Sequence, residues 1–179
     1  MKELSLNILD LAQNSITAGA KNIRISVAES SASDRMEISV CDDGCGMDEQ
    51  LLSCVTDPFT TTRTTRDIGM GIPLIKMEAE MAGGDFHIES ELGKGTFLRA
   101  GFQFSHIDRP PLGSMADTMK ALVQGAPQLD FYYSRTTDKG AFEFSTREVK
   151  EALEGISIGQ PDVLEWIGGY ITEGEAAIT

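Results

Sequence analysis

Concentrated positive charge is what this chain lacks most. Its 179 residues hold 15 Lys and Arg against 28 Asp and Glu, a net charge of -13. Binding a phosphate backbone needs clustered cations, so no nucleic acid is expected as a partner. A nucleotide needs only a local site and a metal ion, so it stays open. No apolar run reaches the roughly 18 residues of a membrane span, and no membrane association is expected. The opening Met1-Lys2-Glu3-Leu4 is amphipathic at once and carries no secretory apolar block, which points to a cytoplasmic protein. The three cysteines, Cys41, Cys45 and Cys54, form an odd set without CxxC spacing. They make a poor disulfide framework and a poor zinc site, and read as reduced, partly buried thiols.

What is present is organised around Asp42-Asp43-Gly44-Cys45-Gly46-Met47. The alternating stretch 36–41 before it reads as a half-buried strand. Asp48-Glu49-Gln50-Leu51-Leu52 after it reads as a capped helix start. The hexapeptide is therefore a strand-to-helix turn. Its glycines allow positive φ and a close backbone approach to something flat, while Asp42 offers a carboxylate at the mouth. A carboxylate beside glycine-lined space suits a planar ring bearing an NH2 group, such as adenine; an ordinary Asp-Gly turn has the same sequence.

Periodicity predicts a first helix over 3–18, with Leu4, Ile8, Leu11, Ala12 and Ser15 on one side. Asp10 and Asn14 lie one turn apart on another face, a pair able to hold Mg2+ through oxygen and water, or merely a solvated polar face. Strands follow at 23–27 and 36–41, as an antiparallel pair, then a helix over 48–55. A basic, threonine-rich loop runs from Thr60 to Arg66 and suggests an anion site or a solvated loop. Gly69-Met70-Gly71-Ile72-Pro73 leads into a helix ending at Gly83-Gly84, and a glycine-flanked helix N-terminus suits phosphate. Strands at 85–90 and 96–104 flank Gly93-Lys94-Gly95. Residues 106–111 read as a linker. Beyond it come a helix over 115–123, a hairpin of 129–134 and 141–145, a helix capped by Thr146, and a helix around 163–171. In the last, Trp166 and Tyr170 are read as packing.

Taken in order, these pieces resemble the ATP-binding domain of the GHKL superfamily, which includes sensor histidine kinases, anti-sigma-factor kinases, type II topoisomerases and mismatch-repair ATPases. The resemblance covers residues 3 to about 105 and rests on four boxes in the family's order. The N box is Asp10-Leu-Ala-Gln-Asn14, the G1 box Asp42-Asp43-Gly44-Cys45-Gly46, the F box Pro58-Phe59-Thr60-Thr61-Thr62-Arg63 and the G2 box Gly69-Met70-Gly71-Ile72. The resemblance implies an α+β fold: a two-layer α/β sandwich, mixed sheet with helices on one face, of the Bergerat type. Residues 1–107 would form this domain and 108–179 a small C-terminal α+β appendage for partner docking or dimerisation. By the same resemblance Asn14 would ligate Mg2+ and Asp42 would accept the adenine amino group. Gly44, Gly46 and Met47 would join Asp42 at the nucleotide. Phe59, Thr61, Thr62 and Arg63 would bind it from the F box, under a lid over about 60–70. Gly69 and Gly71 would line the phosphates, and the Thr96 hydroxyl would assist at adenine. Asp10 and Arg63 are the candidate catalytic residues.

Three departures from the family pattern bear on function. Asp10 stands where hydrolysing members carry Glu, one methylene longer. Asp67 occupies the place of the first G2 glycine. The N box begins at the very start of the chain, leaving no room for a phosphoacceptor hairpin; His87 and His106 read as surface or structural residues. The expectation is a stand-alone protein that transfers the γ-phosphoryl group of Mg-ATP to a Ser, Thr or His of a partner protein in a regulatory role. The alternative is an ATP-gated binding module with little turnover. Short proteins of this layout also resemble those accompanying iron-only hydrogenase subunits, which implies a redox complex as partner. A homodimer stays open.

Overall fold

The computed structural model describes residues 3–57, 59 and 70–179. Thr61, Thr62, Arg63, Asp67 and Gly69, with nearly all of the expected lid, lie outside the described residues. The elements are α1 (Leu4–Thr17), β1 (Asn22–Ser30), β2 (Arg35–Asp42), α2 (Glu49–Cys54), α3 (Gly71–Met81), β3 (Phe86–Glu91), β4 (Gly95–Gln103), α4 (Met115–Gly125), β5 (Asp130–Thr137), β6 (Gly140–Ser145), α5 (Thr146–Leu153) and α6 (Pro161–Ala176).

Six strands form a single mixed sheet in the order β3-β4-β2-β1-β5-β6. Only the β1–β5 pair is parallel. Period-two alternation sets the faces. Ile23, Ile25 and Val27 of β1, Met36, Ile38 and Val40 of β2, and Leu98, Ala100 and Phe102 of β4 are buried. They also stand in register: Ile25 opposite Val40, Ile38 opposite Ala100, Met36 opposite Phe102. Against this apolar face pack α1, α3 and α6, with α4 between α1 and α6. Each Val, Ile, Leu, Met or Phe side chain so covered gains about 1.5–3 kcal/mol relative to exposure. The opposite face carries Arg24, Glu37, Cys41 and Arg99, with Arg24 over the Tyr132 ring at 4.5 Å.

The two-layer α+β sandwich expected from the resemblance is what forms. The α+β segment after residue 107 adds β5 and β6 to the same sheet, with Ile23 opposite Phe131 and Ile25 opposite Tyr133. The stretch read as a linker is structured. Pro111 and Leu112 carbonyls accept the Leu4 and Ser5 amides at 2.9 and 2.7 Å, so it closes the open donors at the start of α1. Glu3 stands at that N-cap, where its side chain caps no backbone amide and accepts from the Ser5 hydroxyl instead. Thr146 is one residue inside α5, and Ser145 is the N-cap. The Thr146 hydroxyl instead accepts the Phe131 amide at 2.8 Å, which explains its burial. Cys41 and Cys45 are exposed thiols, and the Cys54 thiol is half-buried, on the Leu51 carbonyl. Among the described residues no helix is long and apolar enough to cross a membrane.

Candidate functional site

The end of β2 delivers Asp42 to the C-terminal half of α1. Ser15 donates its hydroxyl to Asp42 Oδ2 at 2.6 Å, and the Gly44 amide donates to Oδ1 at 2.9 Å. Both oxygens are thereby oriented, and each keeps acceptor capacity for a further donor. Ser15 is itself buried on α1. Asp43 points away and clamps the turn to the α1–β1 loop, accepting from the Lys21 and Asn22 amides at 2.7 and 2.9 Å and from the Asn22 side chain at 2.8 Å. Those bonds, the Asn22 side chain first, hold its carboxyl below the usual carboxylate range.

The glycines serve backbone packing as much as any ligand. Gly46 has φ +68, and a Cβ there would overlap the Glu91 carbonyl. Gly95, at φ +121, approaches the Asp42 carbonyl as closely. Met47 and Cys45 fasten the turn to the β3–β4 hairpin: the Met47 amide donates to Ser90 Oγ at 2.8 Å, and the Gly93 amide to the Cys45 carbonyl at 2.7 Å. A Cβ on Gly44 would lie 3.0 Å from Ala18 and from Asp42 Oδ1. Thr96 pairs with Asp42 across β4 and β2, and its hydroxyl lies 2.8 Å from Ser90 Oγ. Asp42, Gly44, Gly46, Met47 and Thr96 are thus one constellation, held by Ser15 and Ser90.

The second constellation lies along α1. Asn14 is one turn beyond exposed Asp10. Its side-chain Nδ2 is buried and has no hydrogen-bond partner among the described residues. A buried polar atom without a partner costs about 1–3 kcal/mol, so this amide fits a ligand oxygen. The start of α3 meets α1 here: a Cβ on Gly71 would sit 3.3 Å from Asp10 Cβ. No acidic residue occupies the first turn of α3, leaving its N-terminal amides and dipole to an anion. Asn7, buried one turn before Leu11, donates to Glu78 of α3 and fixes the two helices to each other. Phe59 is 88% exposed, with its amide on Asp57 Oδ1 at 2.8 Å.

Mg2+ demands few protein ligands when phosphates supply the rest. No cluster of three metal-ligating acidic, His or Cys side chains exists among the described residues. Asn14, with Asp10 one turn away, fits that sparse arrangement. The histidines lie on other contacts: His87 is 2.8 Å from Glu89, and His106 accepts the Asp108 amide at 3.1 Å.

Asp42, Asn14 and Thr96 stand out in the sequence as candidates, whereas Ser15, Ser90 and Asn7, which hold the surrounding elements together, do not. Ser15 had a signal, a polar side chain on the apolar side of a helix. Ser90 had none, because its partners are 43 residues earlier and six later.

Known proteins match this arrangement. The sensor histidine kinase AruS of Pseudomonas aeruginosa is 30% identical over 102 residues, covering 54% of this chain and 10% of that protein. The signal transduction histidine-protein kinase AtoS of Escherichia coli K12 is 37% identical over 95 residues, 53% of this chain and 15% of that protein. The sensor histidine kinase CitA of Klebsiella pneumoniae is 31% identical over 95 residues, 51% of this chain and 17% of that protein. The matched segments are therefore a small part of these relatives' length. A crystal structure of the N-terminal domain of a DNA repair protein overlays with a TM-score of 0.51 at 13% identity, over 81% of this chain and 52% of that one. At that identity the likeness concerns fold alone. The family described as histidine kinase-, DNA gyrase B-, and HSP90-like ATPase matches residues 2–106. The chain belongs to that family and carries its ATP-binding domain, of the histidine-kinase-like kind.

Proposed function

We propose that this protein binds Mg-ATP between α1, the turn after β2 and the start of α3, and passes the γ-phosphoryl group to a Ser, Thr or His of a partner protein in a regulatory role. The observation that carries the nucleotide site is the Asp42 carboxylate, oriented by the Ser15 hydroxyl and the Gly44 amide. In this reading Asp42 accepts from the adenine amino group, with Thr96 beside it in register. Gly44, Gly46 and Met47 form the turn against which the base lies. Gly71 opens the α3 N-terminus toward the phosphates.

Asn14 would hold Mg2+, with Asp10 one turn away to assist, and the ion would supply charge neutralisation at the phosphates. Arg63 of the F box adds positive charge. Transfer then needs mainly positioning: the acceptor hydroxyl oxygen or unprotonated ring nitrogen bonds to the γ-phosphorus while the bond from that phosphorus to the β–γ bridging oxygen breaks, ADP leaves with that oxygen, and the acceptor's proton passes to water. The likeness to sensor kinases supports a kinase over a pure ATPase. Asp10 is exposed and one methylene shorter than Glu, which favours the second reading, an ATP-gated binding module with little turnover.

The test uses γ-labelled ATP and Mg2+ with the purified protein, alone and with a lysate of its source cells, against Asn14→Ala. A labelled lysate protein that disappears with Asn14→Ala supports the kinase. Acid-labile label indicates His, and acid-stable label Ser or Thr. No transfer with ATP still bound at micromolar strength supports the gated module and overturns the kinase.

A further inference from the structure

The sheet has two edges, and they are treated differently. At one edge, α2 packs against the edge strand β3. Strand β6 hydrogen-bonds to β5 on one side, and among the described residues its outer edge has no backbone partner. The C-terminal tail comes close to its Gly140 end, where a Cβ would lie 3.2 Å from Ile178. The strand reads Gly-Ala-Phe-Glu-Phe-Ser, without the Pro or Lys that commonly blunts an open edge.

Large aromatic side chains stand beside this edge. Tyr170 of α6 lies 5.5 Å from the Phe142 ring and 6.3 Å from Phe144. Trp166 stacks on Tyr170 at 5.1 Å, with 15° between the rings. Yet Trp166 is 53% and Tyr170 43% exposed. Asp162, Trp166, Tyr170 and Glu173 follow at spacings of four, four and three, so they form one exposed stripe, with a carboxylate at each end of the aromatic pair. Glu143 is exposed on the opposite face of β6 from Phe142 and Phe144.

We propose that β6 accepts an added strand from a partner protein, an extended segment in which apolar residues alternate with Lys or Arg. Backbone bonds to the open edge supply affinity, and alternate side chains supply specificity. Apolar side chains on the helix side cover Tyr170 and Trp166. Cationic ones on the other side meet Glu143, and a cation at either end of the stripe meets Asp162 or Glu173. Charge selects this occupant over a second copy. Antiparallel pairing of β6 with its own copy sets Glu143 close to its twin and joins two chains of net charge -13.

Trp166 is the only tryptophan, so intrinsic emission reads this patch alone. The probe is a synthetic decapeptide of alternating Val and Lys, titrated into the full chain. A saturable blue shift is expected, with none for the Val-Glu counterpart. With a labelled peptide, Tyr170→Ala and Glu143→Lys should each weaken binding at least fivefold by fluorescence polarisation. N-methylating the amides of either the Val or the Lys residues should abolish binding in one phase and spare it in the other. Absence of a saturable shift, an equal response to Val-Glu, or indifference to methylation in both phases overturns the proposal. So does a blue shift that appears with protein concentration alone, which would make the occupant a second copy.

Discussion

Ser15 and Asp42 are 27 residues apart in sequence and joined by a 2.6 Å hydrogen bond from the hydroxyl to Oδ2. The bond ties the buried side of α1 to the end of β2. It makes the carboxylate a fixed acceptor instead of a mobile surface charge. Removing it should therefore disturb the ligand more than the fold. Ser15→Ala should raise the Kd for ATP roughly three- to thirtyfold, the loss of part of a charge-assisted bond. Isothermal titration checks this; unchanged affinity would separate Ser15 from the site.

Gly95 and Gly93 share a hairpin and positive φ, but only Gly95 presses on another backbone, at the Asp42 carbonyl. Gly93 has open space where its Cβ would be. Gly95→Ala should cost roughly 2–4 kcal/mol of folding stability and Gly93→Ala about 1 kcal/mol, the strain of φ alone. Urea denaturation of both variants distinguishes them. Equal losses would contradict the close approach between the hairpin and the turn.

Asp138, in the β5–β6 turn, ties that turn to the one between β1 and β2. It accepts from Ser30 Oγ at 2.7 Å, the Ser31 amide and hydroxyl at 2.8 Å and the Ala32 amide at 3.3 Å. These donors, the Ser30 hydroxyl first, hold its carboxyl down to about 2, from an ordinary 3.8. The folded value lies below the unfolded one. Its contribution is therefore complete above the unfolded value and is lost as pH falls through the interval toward the folded one. The stability gap between the wild type and Asp138→Asn should shrink between about pH 5 and pH 2, the window set by that shift. Urea midpoints across this range measure it; a constant gap would contradict the depressed value.

Much of this was legible before any coordinates because the signals were local. Period-two alternation marks Ile23, Ile25 and Val27, and Met36, Ile38 and Val40, as strand faces, and the buried side of each is the one observed. Asp42 and Asn14 stood out because their boxes are contiguous. What escaped was set at a distance. Nothing near Asp130–Thr137 announces a parallel pairing with β1, since register between remote strands depends on the apolar faces of both and on the helices that cover them. Gly46 was read as freeing backbone for a flat ligand, yet its missing Cβ also makes room for the Glu91 carbonyl, a constraint visible only once the hairpin is in place. Cys41 was expected to be partly buried, but its place in β2 puts it on the uncovered face. There desolvation by the neighbouring strand atoms and then the charge of Asp42 push the thiol's pKa up, unlike a reactive cysteine.

The most direct measurement is an ATP titration, with Mg2+ present, of the wild type and Asp42→Asn by calorimetry. The substitution keeps size and removes the acceptor charge that the adenine amino group would meet. A Kd increased roughly ten- to hundredfold, with folding intact by circular dichroism, is the expected result. An unchanged Kd in a folded variant would place the adenine elsewhere and contradict the site between α1 and the turn after β2.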